Sequence, residues 1–203
     1  MQIGRILSYA LIAGGSFLLF LGSRDFFESR LGQTSAAREF ENAREENARP
    51  WPAATVGANV APKPPGRGDT IARLIIPRLD TELYVMEGDG PKELRRGPGH
   101  LSGTAMPGAH GNCVIAGHRD THFRVLKDIR QGDDIVLETR TGQYLYRVKS
   151  TRIVLPRNTQ PLQPTSAAEL NLITCYPFYY IGSAPKRFVV EAQLAGAVAP
   201  PTS

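Results

Sequence analysis

An all-β domain, either a barrel or a sandwich, is the fold class that this 203-residue sequence predicts for the part that follows residue 69. Three observations predict it. Short segments rich in β-branched and aromatic residues recur, turn residues separate them, and helical signals are confined to single turns. The stretch 70–194, roughly 125 residues, is long enough for one hydrophobic core.

The predicted strands follow one another with turns between them. The longest contains Tyr144-Leu145-Tyr146-Arg147-Val148, and the residues 140–143 before it supply a hairpin turn. Strands are expected at 71–76, 81–86, 112–116, 134–139, 144–155, 171–174 and 187–193.

Irregular and helical segments connect these strands. The glycine- and proline-rich segment 97–111 holds His100 and His110, and we expect a long loop that either contacts substrate or only crosses the surface. Thr165 or Ser166 would cap the last of three short helical turns. These turns are expected at 92–95, 123–129 and 166–170.

The N-terminal segment 1–23 is predicted to be a transmembrane anchor. Its residues 6–22 carry no charge, and a helix of that length rises about 26 Å against a hydrocarbon core of about 30 Å. Arg5 and Arg24 can extend to the two interfaces. A cleaved signal peptide is the competing interpretation, because small residues follow the run. The basic residues on the two sides do not fix the orientation by themselves.

The segment 24–69 is predicted to be a polar stalk and linker. Its first part, 24–49, is typical of a solvated helix supported by opposite charges, and it lacks the apolar heptad positions of a coiled coil. Its second part, 50–69, has five prolines and three glycines, which is typical of a semi-extended linker. We expect this segment to space the globular domain from the membrane.

Charge and histidine spacing argue against two classes of function. The chain has a formal charge of +5, but no basic run has interleaved aromatic residues, so nucleic-acid binding has little support. His118 and His122 are four apart, like two zinc ligands on a helix, but the glutamate of a zinc-binding helix is missing. We therefore expect no metal and no cofactor, and we place His122 at the surface or the substrate rim.

Three strand ends carry the strongest functional signal. Leu172-Ile173-Thr174-Cys175-Tyr176-Pro177 is an apolar run that ends on a cysteine and is then broken by proline. Val114-Ile115-Ala116-Gly117-His118 ends in the same way on a histidine, and Arg187 stands near the start of the last strand. A Cys, a His and an Arg at strand ends are the parts of a thiol acyl-transfer site, whereas a lone free cysteine is more often a buried small hydrophobe.

These segments resemble the sortase family. The resemblance rests on Ile115-Ala116-Gly117-His118-Arg119-Asp120, on Leu172-Ile173-Thr174-Cys175 and on Arg187, twelve residues beyond the cysteine. The longer stretches that begin at His118 and Cys175 most resemble class D sortases. The resemblance implies a closed β-barrel at 70–194 with a few short helices, preceded by a transmembrane helix and followed by a flexible tail at 195–203.

The resemblance also implies roles for individual residues. Cys175 would be the nucleophile, His118 the general acid and base, and Arg187 the donor to the oxyanion. Thr174, Tyr176 and His100 are expected to contact substrate. With an ordinary thiol pKa of about 8.5 and an imidazole pKa of about 6.5, only about 1 % of molecules would hold the thiolate–imidazolium pair. The sequence leaves open whether the site shifts these pKa values.

The function that the resemblance implies is a membrane-anchored cysteine transpeptidase. It would cleave an LPXTG-like sorting signal of secreted proteins through a thioacyl intermediate, and join the product to an amine of a cell-wall peptide or a pilin lysine. The protein would cross the bacterial cytoplasmic membrane once, with its catalytic domain outside. The alternatives are a thiol endopeptidase with water as acceptor, and an inactive membrane-tethered binding module.

The second cysteine, Cys113, leaves one question open. Outside the cytoplasm it could form a disulfide with Cys175 and mask the nucleophile. Its place within the alternating strand Asn112-Cys113-Val114-Ile115 instead indicates a thiol in the core.

Overall fold

Eight strands form the domain. The computed structural model describes residues 2–48, 64–180 and 182–198. The strands are β1 (Thr70–Ile76), β2 (Thr81–Glu87), β3 (Gly99–His100), β4 (Asn112–Gly117), β5 (Asp134–Thr139), β6 (Gln143–Val154), β7 (Glu169–Tyr176) and β8 (Lys186–Val198). They close into a barrel in the order β1-β2-β3-β4-β7-β8-β6-β5, and the antiparallel pair β1–β5 completes the ring.

The predicted all-β fold with a closed barrel and few short helices is confirmed. Two helical turns lie where they were expected, as helix α2 (Pro91–Arg96) and the 3-10 helix His122–Asp128. The turn expected at 166–170 is wrong, because Glu169 already begins β7 and pairs with both β4 and β8. Sheet hydrogen bonds on both sides outweigh the weak tendency of five residues to form a helix.

The barrel interior is the main hydrophobic core. Alternate residues of the strands point inward, as expected for strands with one buried face. Tyr146 is fully buried there, and its hydroxyl accepts a hydrogen bond from the backbone N–H of Gly108 at 2.8 Å. The fully buried residues of this core include Ala72, Leu74, Ile76, Val85, Ile115, Phe123, Leu126, Ile135, Leu137, Leu170, Leu172 and Val190.

The N-terminal helix α1 (Gln2–Ala48) packs against the barrel rather than standing in solvent. Ser29, Ala36 and Phe40 are buried, and their spacing places them along one face of the helix. Gly32 also faces the domain, where an added Cβ would come within 2.6 Å of the Cα of Arg96. The expectation of a solvated helix was therefore wrong for this part of α1, because the buried face is small and interrupted by charged residues that hide its periodicity.

Polar contacts fix the position of α1. The side chain of Gln33 accepts a hydrogen bond from the backbone N–H of Tyr84 at 2.7 Å and donates to the carbonyl of Arg96 at 2.8 Å. Arg44 forms an ion pair with the buried carboxylate of Glu138 at 2.8 Å. Pairing of both backbone and side-chain groups gives the helix a defined register on β2, β5 and α2.

Replacing Phe40 by alanine is expected to release α1 from the barrel. Phe40 is fully buried and meets the ring of Tyr84 edge-on, with centroids 5.9 Å apart. Removing a buried phenyl ring costs about 3 kcal/mol or more. Hydrogen exchange along α1 should therefore become much faster. The matched control is Leu31→Ala on the same helix, where the side chain is 68 % exposed; equal exchange in both variants would contradict the docking.

The predictions for the anchor, the linker and the C-terminal tail have three different outcomes. Within the described residues, no helix is both long and apolar enough to cross a membrane. Most of the predicted linker, residues 50–63, lies outside the described residues. The predicted tail at 195–203 is partly strand, because β8 continues to Val198 and pairs there with Gln143 of β6; residues 199–203 lie outside the described residues.

Candidate active site

Cys175, His118 and Arg187 come together at the ends of three adjacent strands. Strands β4 and β7 are parallel, and Gly117 pairs with Thr174, so His118 and Cys175 are the next residues on neighbouring strands. Cys175 in turn faces Arg187 across the antiparallel pair β7–β8. Neighbouring strands lie about 4.8 Å apart, and directly paired residues point to the same face of a sheet. The histidine is exposed, and the cysteine and the arginine are half-buried.

The guanidinium of Arg187 is held beside the chain that precedes it. Its Nη1 donates to the carbonyl of Lys186 at 3.0 Å and to that of Ala184 at 3.3 Å. Lys186 pairs with Tyr176, one position from the Arg187–Cys175 pair, so alternation directs the two cations to opposite faces. The register places this planar group, with its several N–H donors, on the same face of the sheet as the cysteine.

Thr174 was expected to contact substrate, but it is a buried residue that supports the site. It is buried, and its Oγ1 donates to the carbonyl of Gly117 at 2.7 Å. This bond ties the end of β7 to the end of β4, directly before Cys175 and His118. The strand period explains the correction, because the neighbour of a residue that faces the site points the other way.

His100 also proves to be structural, and its predicted contact with substrate was wrong. It is 1 % exposed, and its Nδ1 lies 2.7 Å from Oε2 of Glu87. Its Nε2 lies 3.0 Å from the carbonyl of Ala105 and from the hydroxyl of Thr104. Both ring nitrogens are thus occupied, and the histidine anchors the segment 101–105, which sequence alone describes only as a loop.

The aromatic residues after Cys175 divide into two groups. Tyr176 and Phe178 pack with Phe188, the former stacked at 6.4 Å and the latter edge-on at 5.3 Å between ring centroids. Tyr179 and Tyr180 are exposed, and the hydroxyl of Tyr179 accepts a hydrogen bond from Lys127 at 3.0 Å. Packing at the barrel rim therefore accounts for Tyr176 and Phe178, whereas the exposed pair is available to a ligand.

Arg119, the residue after the candidate base, links the two loops of the site. Its Nη2 donates to the carbonyls of Tyr180 at 2.7 Å and Gly182 at 2.9 Å, and its guanidinium lies 5.7 Å from the ring of Tyr180. The segments that carry His118 and Cys175 are thus connected directly. Sequence reasoning missed this residue, since an arginine beside a histidine has no distinguishing pattern.

His122 is buried rather than at the surface or rim as expected. It is 7 % exposed, and its Nε2 lies 2.7 Å from Oγ of Ser29 on α1. Burial, and after it the positive charge of the nearby His118, lower the pKa of the imidazole to about 4. The ring is therefore neutral at physiological pH. Within the described part of the chain, no three His, Cys, Asp or Glu side chains are grouped to hold a metal ion.

Stability is expected to fall as the pH drops from about 6.5 to about 4, in part because of His122. Its pKa is 6.5 in the unfolded chain and about 4 in the fold, so protons bind the unfolded state more tightly in this range. Wild type should lose roughly 2 kcal/mol more than His122→Gln between pH 7 and pH 4.5 in urea unfolding. The exposed His110→Gln is the control; parallel losses in all three proteins would show that His122 is not the group responsible.

Cys113 is far from the candidate nucleophile. It is buried in the core, and burial raises the pKa of its thiol to about 12. It pairs with Leu170, five residues before Cys175 along β7, which corresponds to about 16 Å of strand. A disulfide needs Cα atoms less than about 7 Å apart, so the two cysteines cannot bond within this fold. Both are free thiols.

A closed barrel that presents a cysteine, a histidine and an arginine on three adjacent strand ends has the arrangement of groups that a cysteine acyltransferase needs. The sortase domain model matches residues 74–195, and the chain belongs to the sortase family, whose members are cysteine transpeptidases. The chain is 36 % identical to Sortase D of Bacillus subtilis over 133 residues, which is 65 % of this chain and 67 % of that protein.

Solved structures agree with this assignment. The catalytic domain of SrtD from B. anthracis is 31 % identical, with a TM-score of 0.59 over 71 % of this chain and 100 % of that one. A Sortase D5 transpeptidase from Clostridium perfringens has a TM-score of 0.64 at 24 % identity, over 83 % of this chain and 99 % of that one, and so supports the fold alone. The resemblance to sortases, and to class D in particular, is confirmed.

Proposed function

We propose that this protein is a membrane-anchored transpeptidase that cleaves an LPXTG-like signal of secreted proteins and transfers the acyl group to an amine. The observation that carries the proposal is the strand register. It makes Cys175 the neighbour of His118 on one side and of Arg187 on the other. Family membership supports the same chemistry.

The proposed reaction has two halves. In the first, the thiolate of Cys175 attacks the scissile carbonyl, Arg187 donates to the oxygen that becomes negative, and His118 protonates the departing amine. In the second, His118 takes a proton from the incoming amine, which attacks the thioacyl carbonyl and releases the cysteine. Histidine acts as acid and then as base, so it returns to its starting state after each turnover.

The proposed anchor is the uncharged run 6–22, with the catalytic domain on the outer side of the bacterial cytoplasmic membrane. The sequence of the run supports this proposal, because it carries no charge and has an arginine near each end. Residues 29–44 of α1 contact the barrel, so such an anchor would hold the active site near the bilayer rather than at the end of a spacer. The partners would be secreted proteins that carry a C-terminal signal, and an amine of a cell-wall peptide or a pilin lysine.

The function is tested with the full chain in detergent under reducing conditions. The protein is incubated with a pool of LPXTG-like peptides and a simple primary amine, and products are followed by mass spectrometry. We expect a thioacyl adduct on Cys175 and an amide product. Cleavage without amide formation would favour an endopeptidase that uses water. No reaction by a folded protein with a free Cys175 thiol would favour a binding module.

A further inference from the structure

A cleft of about 430 Å³ lies beside the candidate base and has no part in the chemistry described so far. Helix α1 contributes Ser29 to one wall, helix α2 contributes Leu94 and Arg95, and the segment after β4 contributes His118 and Asp120. Three separate parts of the fold therefore build it. Cys175 and Arg187 are not among the described residues that line it.

The position of the cleft indicates which of the two substrates of a transpeptidase it holds. The donor peptide must place its carbonyl at Cys175 and Arg187, which lie on β7 and β8. The acceptor must instead bring its nitrogen to His118, the group that removes its proton. A cleft whose described lining includes His118 but not the other two residues lies on the side of the site where amines leave and enter, so once the departing peptide is released it is placed to hold the acceptor.

The charges in the cleft suit a cation. Asp89 and Asp120 both line it, and Arg95, the arginine among its described lining residues, forms an ion pair with Glu28 at 3.5 Å. Alkyl amines have pKa values of about 10.4, so the acceptor arrives as an ammonium ion. Carboxylates near the base raise the local concentration of such a cation.

The remaining surface suits an aliphatic chain. Pro91 and Leu94 of α2 form the apolar part of the cleft. Methylene groups that pack there leave water at about 0.8 kcal/mol per buried CH₂. A primary amine at the end of several carbons, such as a lysine side chain, matches the combination of an apolar surface and two carboxylates.

We propose that this cleft is the acceptor subsite and that it binds the ammonium end of a long-chain primary amine. The inference rests on the proposed function. In the reaction, the ammonium gives one proton to His118, its nitrogen forms the new C–N bond, and the C–S bond to Cys175 breaks. The second proton passes from nitrogen to water, so the products are an amide, the Cys175 thiolate and a protonated His118, which is the state that begins the next turnover, and nothing is oxidised or reduced.

The test compares two amines on the full chain in detergent, with the peptide donor held constant. Pentylamine is charged and aliphatic, whereas hydroxylamine is small and uncharged at neutral pH. The double variant Asp89→Asn, Asp120→Asn should raise the KM of pentylamine about tenfold, which corresponds to about 1.4 kcal/mol. The KM of hydroxylamine should change less than twofold. Measuring the ratio of amide to hydrolysis product within each protein corrects for any loss of folded enzyme.

Two further variants provide a control and a second test of the cleft. Asp134→Asn removes a carboxylate that is paired with Arg147 on the opposite part of the barrel, and it should leave both KM values unchanged. Leu94→Ala should weaken the preference for pentylamine over methylamine, because fewer methylene groups are covered.

The outcomes separate this inference from the proposed function. An equal rise in KM for pentylamine and hydroxylamine would overturn the subsite, because the aspartates would then act through His118. Unchanged KM values in the double variant would overturn it as well. A wild type that transfers its acyl group to neither amine would contradict the proposed function and the subsite together.

Discussion

Replacing Cys175 by alanine is expected to abolish peptide cleavage and amide formation, with a loss of more than about a thousandfold in rate. The sulfur is the atom that would bond to the acyl group, and no other described thiol is within reach of His118. Cys175 lies at the end of β7, where it pairs with Arg187. The measurement is the single-turnover rate with a cleavable peptide, together with mass spectrometry for the thioacyl adduct.

Cys113 supplies the matched control for this experiment. It is the second cysteine of the chain, but it is buried in the barrel and its thiol has a pKa raised to about 12. Cys113→Ala should therefore retain activity and lose about 1 kcal/mol of stability from the small cavity. An alkylating agent should label one thiol in wild type and none in Cys175→Ala. Activity that survives in Cys175→Ala would exclude covalent catalysis by this residue.

Most strands of the barrel could be predicted from the sequence because each strand has a recognisable pattern among neighbouring residues. Alternation in segments such as Tyr146 to Lys149 fixes which side chains face the core, and one buried face is enough to specify the register. Strand β3 was missed because it is two residues long and lies between glycines and prolines. Its pairing with β2 and β4 depends on neighbours distant in sequence, which no local pattern encodes.

The candidate site was likewise predictable where it depends on residues close together in the sequence, and not where it depends on residues far apart. A strand that ends on Cys175 and another that ends on His118 are visible as short patterns. The bond between Ser29 and His122 joins residues 93 positions apart, and neither residue has a distinctive setting. The spacing of Ser29, Gly32, Ala36 and Phe40 was the available signal for docking of α1, but small residues give a weak hydrophobic period.

Replacing Arg187 by alanine is expected to lower kcat by about 10² to 10³, the usual cost of removing one oxyanion donor. The negative charge develops only as the thiolate attacks, so the loss should fall on kcat more than on KM. Arg187 is half-buried, and hydrogen bonds to the carbonyls of Ala184 and Lys186 hold its guanidinium in place. The measurement is kcat and KM of the variant with one donor peptide and saturating amine.

Arg187→Lys separates geometry from charge at the same position. A lysine keeps the positive charge but cannot reproduce the planar arrangement of donors that serves both the loop carbonyls and an oxyanion. We expect it to be nearly as slow as Arg187→Ala. Lys186→Ala is the control, since this exposed neighbour has the same charge and pairs with Tyr176 rather than with Cys175. It should stay within about twofold of wild type, because a surface cation one position away contributes only a screened field. Turnover in Arg187→Lys close to wild type would mean that the site needs a general positive charge, and the assignment of Arg187 as a directional donor would then be wrong.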